Sequence, residues 1–209
     1  MPDPDWLTWA REIQAIAQTG LAFSKDPYDL DSFAALRRLA VRIMAEHTSA
    51  DLGRIEGLFD AETGYATPKV GVRAAVFDTS GRILMVRETA DENRWSLPGG
   101  WADVNQTPAQ SVVREVFEES GYHVRTVKLA AVWDRSRHTH PPTVFSVVRL
   151  FFVCALEGGS PRTSVETSEV GWFAETDVPA DLSVRRTLPQ HIARMFAHWR
   201  DPALATEFD

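Results

Sequence analysis

Apolar residues recur at helical spacing up to about residue 60 and in short strand-like runs afterwards, with the change at Thr63–Lys69, "TGYATPK". The run "DWLTWAREIQAIAQT" sets Trp6, Trp9, Ala10, Ile13, Ile16 and Ala17 on one stripe, and Gly20 is placed to end that helix. A second helix starts at Asp26, a good N-cap, with Pro27 in the first turn, where its missing N–H costs nothing. It continues to about His47 with Leu30, Phe33, Leu36, Ala40, Ile43 and Met44 at helical spacing. "DLGRIEGLFD" predicts a shorter third helix, weakened by Gly53 and Gly57. Three short helices make a thin core, which leaves two uses for them: packing on the rest of the chain, or forming a dimer interface.

Beyond the break, "VGVRAAVF" and "RILMVRE" read as strands joined by the turn "DTSG". "VRTVKLAAVWD" and "TVFSVVRLFFVCAL" predict two longer strands, "EGGSPR" a loop and "EVGWF" a short strand. "TLPQHIARMFAHW" predicts a closing helix with Leu188, Ile192, Met195, Phe196 and Trp199 on one face. The reading is an α/β protein with a mixed sheet between helical layers, preceded by a helical extension. Its expected parts are a helical region over 1–65, a main domain over 66–200 and a loose tail over 201–209.

Composition narrows the function. The 209 residues carry a formal net charge of −7, which argues against stable binding to a nucleic-acid backbone. No stretch approaches the ~20 apolar residues of a membrane span, and the first residues lack the pattern of a signal peptide. The single cysteine, Cys154, sits in an apolar run and reads as a small buried residue, so a cytoplasmic location is expected.

The densest chemistry lies between Pro98 and Tyr122, "PGGWADVNQTPAQSVVREVFEESGY". Thr107 as N-cap, Pro108 in the first turn, Gln110 completing a capping box and Gly121 as a stop predict a helix from about Pro108 to Ser120. With about 100° per residue, Glu118 and Glu119 fall at about −60° and +40° from Glu115. The three carboxylates share a face, and Ala109, Val112, Val113, Val116 and Phe117 occupy the other half. Like charges at this spacing cost a few tenths of a kcal/mol per pair in water. Such a cluster is either a solvated surface or a set of hard oxygen ligands for a divalent cation.

The order Gly100, Arg114-Glu115, Glu118-Glu119, Gly121 resembles the Nudix box, G-x5-E-x7-R-E-U-x-E-E-x-G-U, with U bulky and aliphatic. "WSLPGG" and "EVGWF" stand where Nudix proteins have similar segments. Two positions depart: Tyr122 is aromatic, and Gln106 replaces the first Glu, keeping its shape and hydrogen-bonding reach without the charge. Gln106 is read as supporting the loop–helix junction.

The resemblance implies a Nudix-type α/β/α sandwich and metal-dependent hydrolysis of a nucleoside diphosphate linked to another group. It implies Mg²⁺, with Mn²⁺ as a substitute, held by Glu115, Glu118 and Glu119, with Arg114 orienting them. The general base stays open among Glu115, Glu119, Glu166 and Glu169. Arg73, Arg87 and, less strongly, Arg94 are candidate phosphate contacts. His138 and His140 form a His-x-His pair, with His138 a candidate substrate contact. The helical extension together with "WSLPGGWADV", "HPP" and "VGWF" is similar to a Nudix subgroup that includes CDP-choline pyrophosphatases. That similarity implies CDP-choline as substrate, CMP and phosphocholine as products, and a homodimer to which the N-terminal helices contribute. A quaternary ammonium is recognised by aromatic faces and a carboxylate, for which Trp95, Trp101 and Trp133 with Asp103 or Asp134 are candidates. The alternatives are an ADP-ribose or nucleotide-sugar pyrophosphatase, and a non-catalytic nucleotide-binding module.

Overall fold

A computed structural model describes residues 3–209, and the chain divides into two compact units, one of residues up to 68 with 142–146, the other of 69–141 with 147–209.

The first unit holds α1 (Asp5–Phe23), α2 (Pro27–Glu46) and α3 (Leu52–Asp60). Asp26 caps α2 by accepting from the N–H groups of Tyr28 (2.8 Å) and Asp29 (3.2 Å), and Asp51 caps α3 through Arg54 N–H at 3.1 Å. Leu7, Ala10, Ala40, Val41, Met44, Ile55 and Phe59 form its core. Gly20 does not end α1. A Cβ there would lie 2.3 Å from the Phe33 ring, so this glycine serves the close packing of α1 on α2. The expected apolar stripe is divided: Ala10 and Ala17 are buried, together with Leu7 and two glutamines, whereas Trp9 (59% exposed), Ile16 and Phe23 lie along an uncovered line. Segment 142–146 also belongs here: the Arg11 guanidinium donates to Thr143 O, and Val144 packs on the helical core. The strand predicted from Thr143 therefore starts only at Val147.

The second unit contains β1 (Lys69–Phe77), β2 (Ile83–Glu88), β3 (Arg94–Ser96), α4 (Pro108–Ser120), β4 (Tyr122–Asp134), β5 (Val147–Gly159), β6 (Thr167–Phe173), α5 (Pro189–Arg200) and β7 (Glu207–Phe208). β1 runs parallel to β5 and β4 parallel to β7; the remaining pairs are antiparallel, which gives the expected mixed sheet. Alternation along β1 feeds two cores. Val72, Ala74 and Val76 pack with Val112 and Val116 of α4, and Ala75 and Phe77 pack with Ile192, Met195 and Phe196 of α5.

Two features position the site. After β3 the chain lies along β1, with Ala74 N–H donating to Pro98 O (2.8 Å), Val72 N–H to Gly100 O (2.9 Å) and Ala102 N–H to Val70 O (2.9 Å). Gly99 (φ 143°) makes this approach possible, since a Cβ there would sit 2.1 Å from Val72 O. The expected loose tail is instead tied down. Glu207 and Phe208 pair with Ala131 and Val132, and Thr206 Oγ1 donates to Leu129 O at 2.7 Å. Lys128 Nζ donates to Pro202 O and Leu204 O. The reason is the edge of β4, whose backbone groups take a partner strand where one is within reach.

Candidate active site

The acidic helix forms as its sequence dictates. Thr107 Oγ1 accepts from Gln110 N–H (3.2 Å), Gln110 Oε1 accepts from Thr107 N–H (2.8 Å), and Gly121 closes the helix at φ 76°. Burial divides the three glutamates. Glu115 and Glu119 are buried; the Glu118 side chain is half exposed. Glu119 (2% exposed) accepts a hydrogen bond from Gly99 N–H at 2.8 Å. Gly100 makes room for the Glu115 carboxylate, because a Cβ there would lie 2.4 Å from Oε1.

Arg114 is the hub. Its guanidinium reaches Glu118 (2.5 Å), Asp103 (2.8 Å) and Glu115 (2.9 Å), and its Nε donates to Gln106 Oε1 at 3.3 Å. Gln106 also accepts from Ser111 Oγ at 3.3 Å. The residue that departs from the motif thus sits at the loop–helix junction and orients the arginine that orients the glutamates.

A cavity of about 1050 Å³ opens over this face. Of the candidates read from sequence, Arg73, Gly100, Trp101, Asp103, Arg114, Glu115, Glu118, Glu119 and Glu166 line it. Glu88, Arg149, Arg162, Arg185 and Arg186 line it too, and sequence reasoning missed them. Two left a signal. Glu88 shares strand parity with buried Leu84 and Val86, and Arg149 is a lone charge in the apolar run "VVRLFFVCAL".

Other candidates lie elsewhere. Arg87 is on the opposite strand face from Glu88, its guanidinium 5.1 Å from the centroid of Trp95 and paired with Glu169 (3.3 Å) and Asp181 (3.2 Å). Glu169, opposite Arg87 in the β2–β6 ladder, is likewise off the cavity wall. Arg94 pairs with Glu92 at 2.5 Å. Trp95 and Trp133 are core residues; Trp133 stacks on His191 with centroids 4.9 Å apart. His138 bonds His191 (3.3 Å) and Asp209 (3.2 Å), and His140 bonds Val184 O (2.6 Å). Asp134 accepts from Ser136 N–H at 2.8 Å. Of the expected aromatic cage only Trp101 (52% exposed) and Asp103 are at the cavity, because the other two tryptophans fill the hydrophobic core.

Burial sets the electrostatics. Loss of water, then the neighbouring Glu88, pushes Glu119 up to about 8, against the opposing pull of Arg73 and the Gly99 N–H. Burial likewise raises Glu88 and Glu115, opposed by Arg73 and Arg186 at Glu88 and by Arg114 and Arg73 at Glu115. Glu88 Oε1 is buried without a hydrogen-bond partner. Hard carboxylate oxygens held out of water in this way fit a divalent cation by donor type and by charge. Among the described residues no three His, Cys, Asp or Glu side chains stand close enough to hold one. Glu118 is engaged by Arg114, so an ion shared by all three helix glutamates requires Glu118 to leave that pair.

A mixed sheet between α4 and α5 thus carries buried glutamates beside arginines in one cavity, donors suited to a divalent cation and to phosphate oxygens. A profile of the NUDIX domain matches residues 67–197, and one described as "UDP-X-like, N-terminal oligomerisation domain" matches residues 4–59. The chain belongs to the Nudix hydrolase family. It is 42% identical over 204 residues to YjhB of Bacillus subtilis (strain 168), named as a candidate ADP-ribose pyrophosphatase, covering 98% of this chain and 97% of that one. A Streptococcus suis 89-1591 structure described as an ADP-ribose pyrophosphatase matches with TM-score 0.62 and 35% identity, covering 68% of this chain and all (100%) of that one. A UDP-X diphosphatase structure matches with TM-score 0.62 and 27% identity over 100% of both chains. The protein is therefore an enzyme of nucleoside diphosphate-linked substrates, in a family that uses divalent metal ions. No described helix is long and apolar enough to cross a membrane.

Proposed function

We propose that the protein hydrolyses the pyrophosphate bond of ADP-ribose or a related nucleotide sugar, with Mg²⁺ as the working ion and Mn²⁺ as a substitute. The observation that carries this reading is the placement of buried Glu88, Glu115 and Glu119 and buried Arg73 on the wall of one cavity. The relative that spans nearly the whole chain supports the ADP-ribose assignment.

Glu115, Glu118 and Glu119 would hold the ion. When bound, it neutralises the diphosphate and lowers the pKa of the attacking water. Arg73 lines the same wall, and its fixed fork of donors, two of them without a partner, suits phosphate oxygens. Arg114 keeps Glu115 and Glu118 oriented, with Gln106 bracing it. Glu166 acts as general base. Glu119 is committed to Gly99 N–H and Glu115 to Arg114, whereas Glu166 lines the cavity and its carboxylate has no hydrogen bond among the described residues.

A second reading is hydrolysis of CDP-choline to CMP and phosphocholine. It is favoured by Trp101 and Asp103, an aromatic face and a carboxylate on the same cavity wall. The exposed line Trp9, Ile16 and Phe23 on α1 supports a homodimer formed through the N-terminal helices. A substrate panel ranks the readings. ADP-ribose is expected to give the higher kcat/KM; a higher value for CDP-choline would move the assignment to the choline subgroup.

A further inference from the structure

The cavity changes character along its wall. Near α4 its charges are mixed. Arg73, on β1, feels the attraction of Glu88, Glu119 and Glu115 as well as the repulsion of Arg186. Arg149, on β5, has a different setting. It is 9% exposed, and its two terminal nitrogens donate to consecutive backbone carbonyls, Arg185 O (2.7 Å) and Arg186 O. Neither acceptor carries charge. Neither Arg73 nor Arg149 has a carboxylate within 4.0 Å among the described ion pairs. Arg73, 5% exposed, leaves Nε and Nη1 without any hydrogen-bond partner.

A buried cation without a paired counter-charge costs several kcal/mol, so Arg149, which has only neutral acceptors, and Arg73, which keeps two unpartnered nitrogens, require a reason on this wall. For Arg149, burial comes first, then the cations Arg73, Arg135 and Arg186, and together they pull its pKa down to about 8. No carboxylate acts on it strongly enough to oppose them. Arg149 also fixes the loop that delivers Arg185 and Arg186 to the same wall. Gly71, paired with Arg149 in the sheet, lies between that arginine and Trp101 on the cavity wall. An anion is the ligand that relieves the repulsion and satisfies the free donors of Arg73.

We propose that Arg149 and Arg73 form an anion subsite that takes a charged group, a phosphate monoester or carboxylate, which the substrate carries in addition to its scissile diphosphate. The proposal rests on the nucleoside-diphosphate hydrolase reading for the position of the diphosphate near the acidic helix. It places the additional charge at the part of the wall where Arg149 donates only to neutral carbonyls and Arg185 and Arg186 stand beside it. A cationic group such as choline is disfavoured there by like charge.

Two measurements test it. Metal-free protein is titrated with inorganic phosphate by calorimetry, which requires no turnover. One site per chain is expected, weakened at least tenfold in both Arg149→Met and Arg73→Met; the two substitutions lie on different strands, so either folded variant decides. Absence of a site, or unchanged affinity in a folded variant, overturns the subsite. Then kcat/KM is compared for ADP-ribose and for ADP-ribose bearing a 2′-phosphate. At least a tenfold preference for the phosphorylated compound is expected, lost in Arg149→Met or, if that variant does not fold, in Arg73→Met. Phosphate binding without this preference assigns the subsite to the scissile diphosphate and overturns the claim of an additional group. If neither nucleotide is hydrolysed, the hydrolase reading fails, while the phosphate titration still decides whether the anion subsite exists.

Discussion

Glu119 accepts a hydrogen bond from the backbone N–H of Gly99 at 2.8 Å, which couples the acidic helix to the loop that lies along β1. The acidic face is therefore assembled from two segments whose relative position depends on glycines. The next glycine acts on a different atom: the Glu115 carboxylate occupies the space a Cβ of Gly100 would take.

The two glycines should fail differently. In Gly99→Ala the new Cβ meets backbone, 2.1 Å from Val72 O, at a φ of 143°. A loss of about 3 kcal/mol is expected, read as a lowered denaturation midpoint. In Gly100→Ala the Cβ meets only the end of a side chain, Glu115 Oε1 at 2.4 Å. Stability should change little, while kcat/KM falls on the order of a hundredfold because a carboxylate is displaced.

Gln106→Glu restores the charge at the position that departs from the motif. It strengthens the contact to Arg114 Nε, 3.3 Å away, by turning a hydrogen bond to a neutral amide into an ion pair. The expected gain in stability is under about 1 kcal/mol, with turnover changed by less than about tenfold, since Gln106 braces Arg114 rather than touching substrate. A hundredfold gain in turnover at saturating Mg²⁺ would show that the charge itself is needed.

His191 and His140 are buried and held neutral, pushed down to about 2 and about 3, by burial first; the neighbouring histidines and Arg149 add to this in both, and Arg135 in His140. The unfolded chain takes up protons on them below about pH 6.5 and the folded chain does not. Stability from these groups is thus fully present above that pH and lost as pH falls below it, by up to about 1.4 kcal/mol per pH unit for each. Thermal melts between pH 7.5 and 5 should show this slope. His191→Phe, which keeps a ring against Trp133, should flatten it.

Much of this was legible in the chain. The capping box of Thr107 and Gln110, the stop at Gly121 and the face shared by the three glutamates follow from local chemistry and helical period. The cavity's second half did not follow. Glu88, Arg149 and Arg186 reach it from β2, β5 and the loop before α5, and only the sheet order brings these together. Trp133 and Arg87 were misplaced for the same reason. Which face of a strand meets a core depends on pairing register, which residue type alone does not carry. Gly20 shows the converse: a residue that commonly ends a helix here permits a helix crossing.

The central claim is that the buried glutamates of α4 drive hydrolysis of a nucleoside diphosphate derivative. The most direct measurement is release of AMP and ribose 5-phosphate from ADP-ribose with Mg²⁺, in the wild type beside Glu119→Gln. Turnover by the wild type and a loss on the order of a thousandfold in the variant is the predicted result. Hydrolysis by Glu119→Gln at the wild-type rate would contradict it.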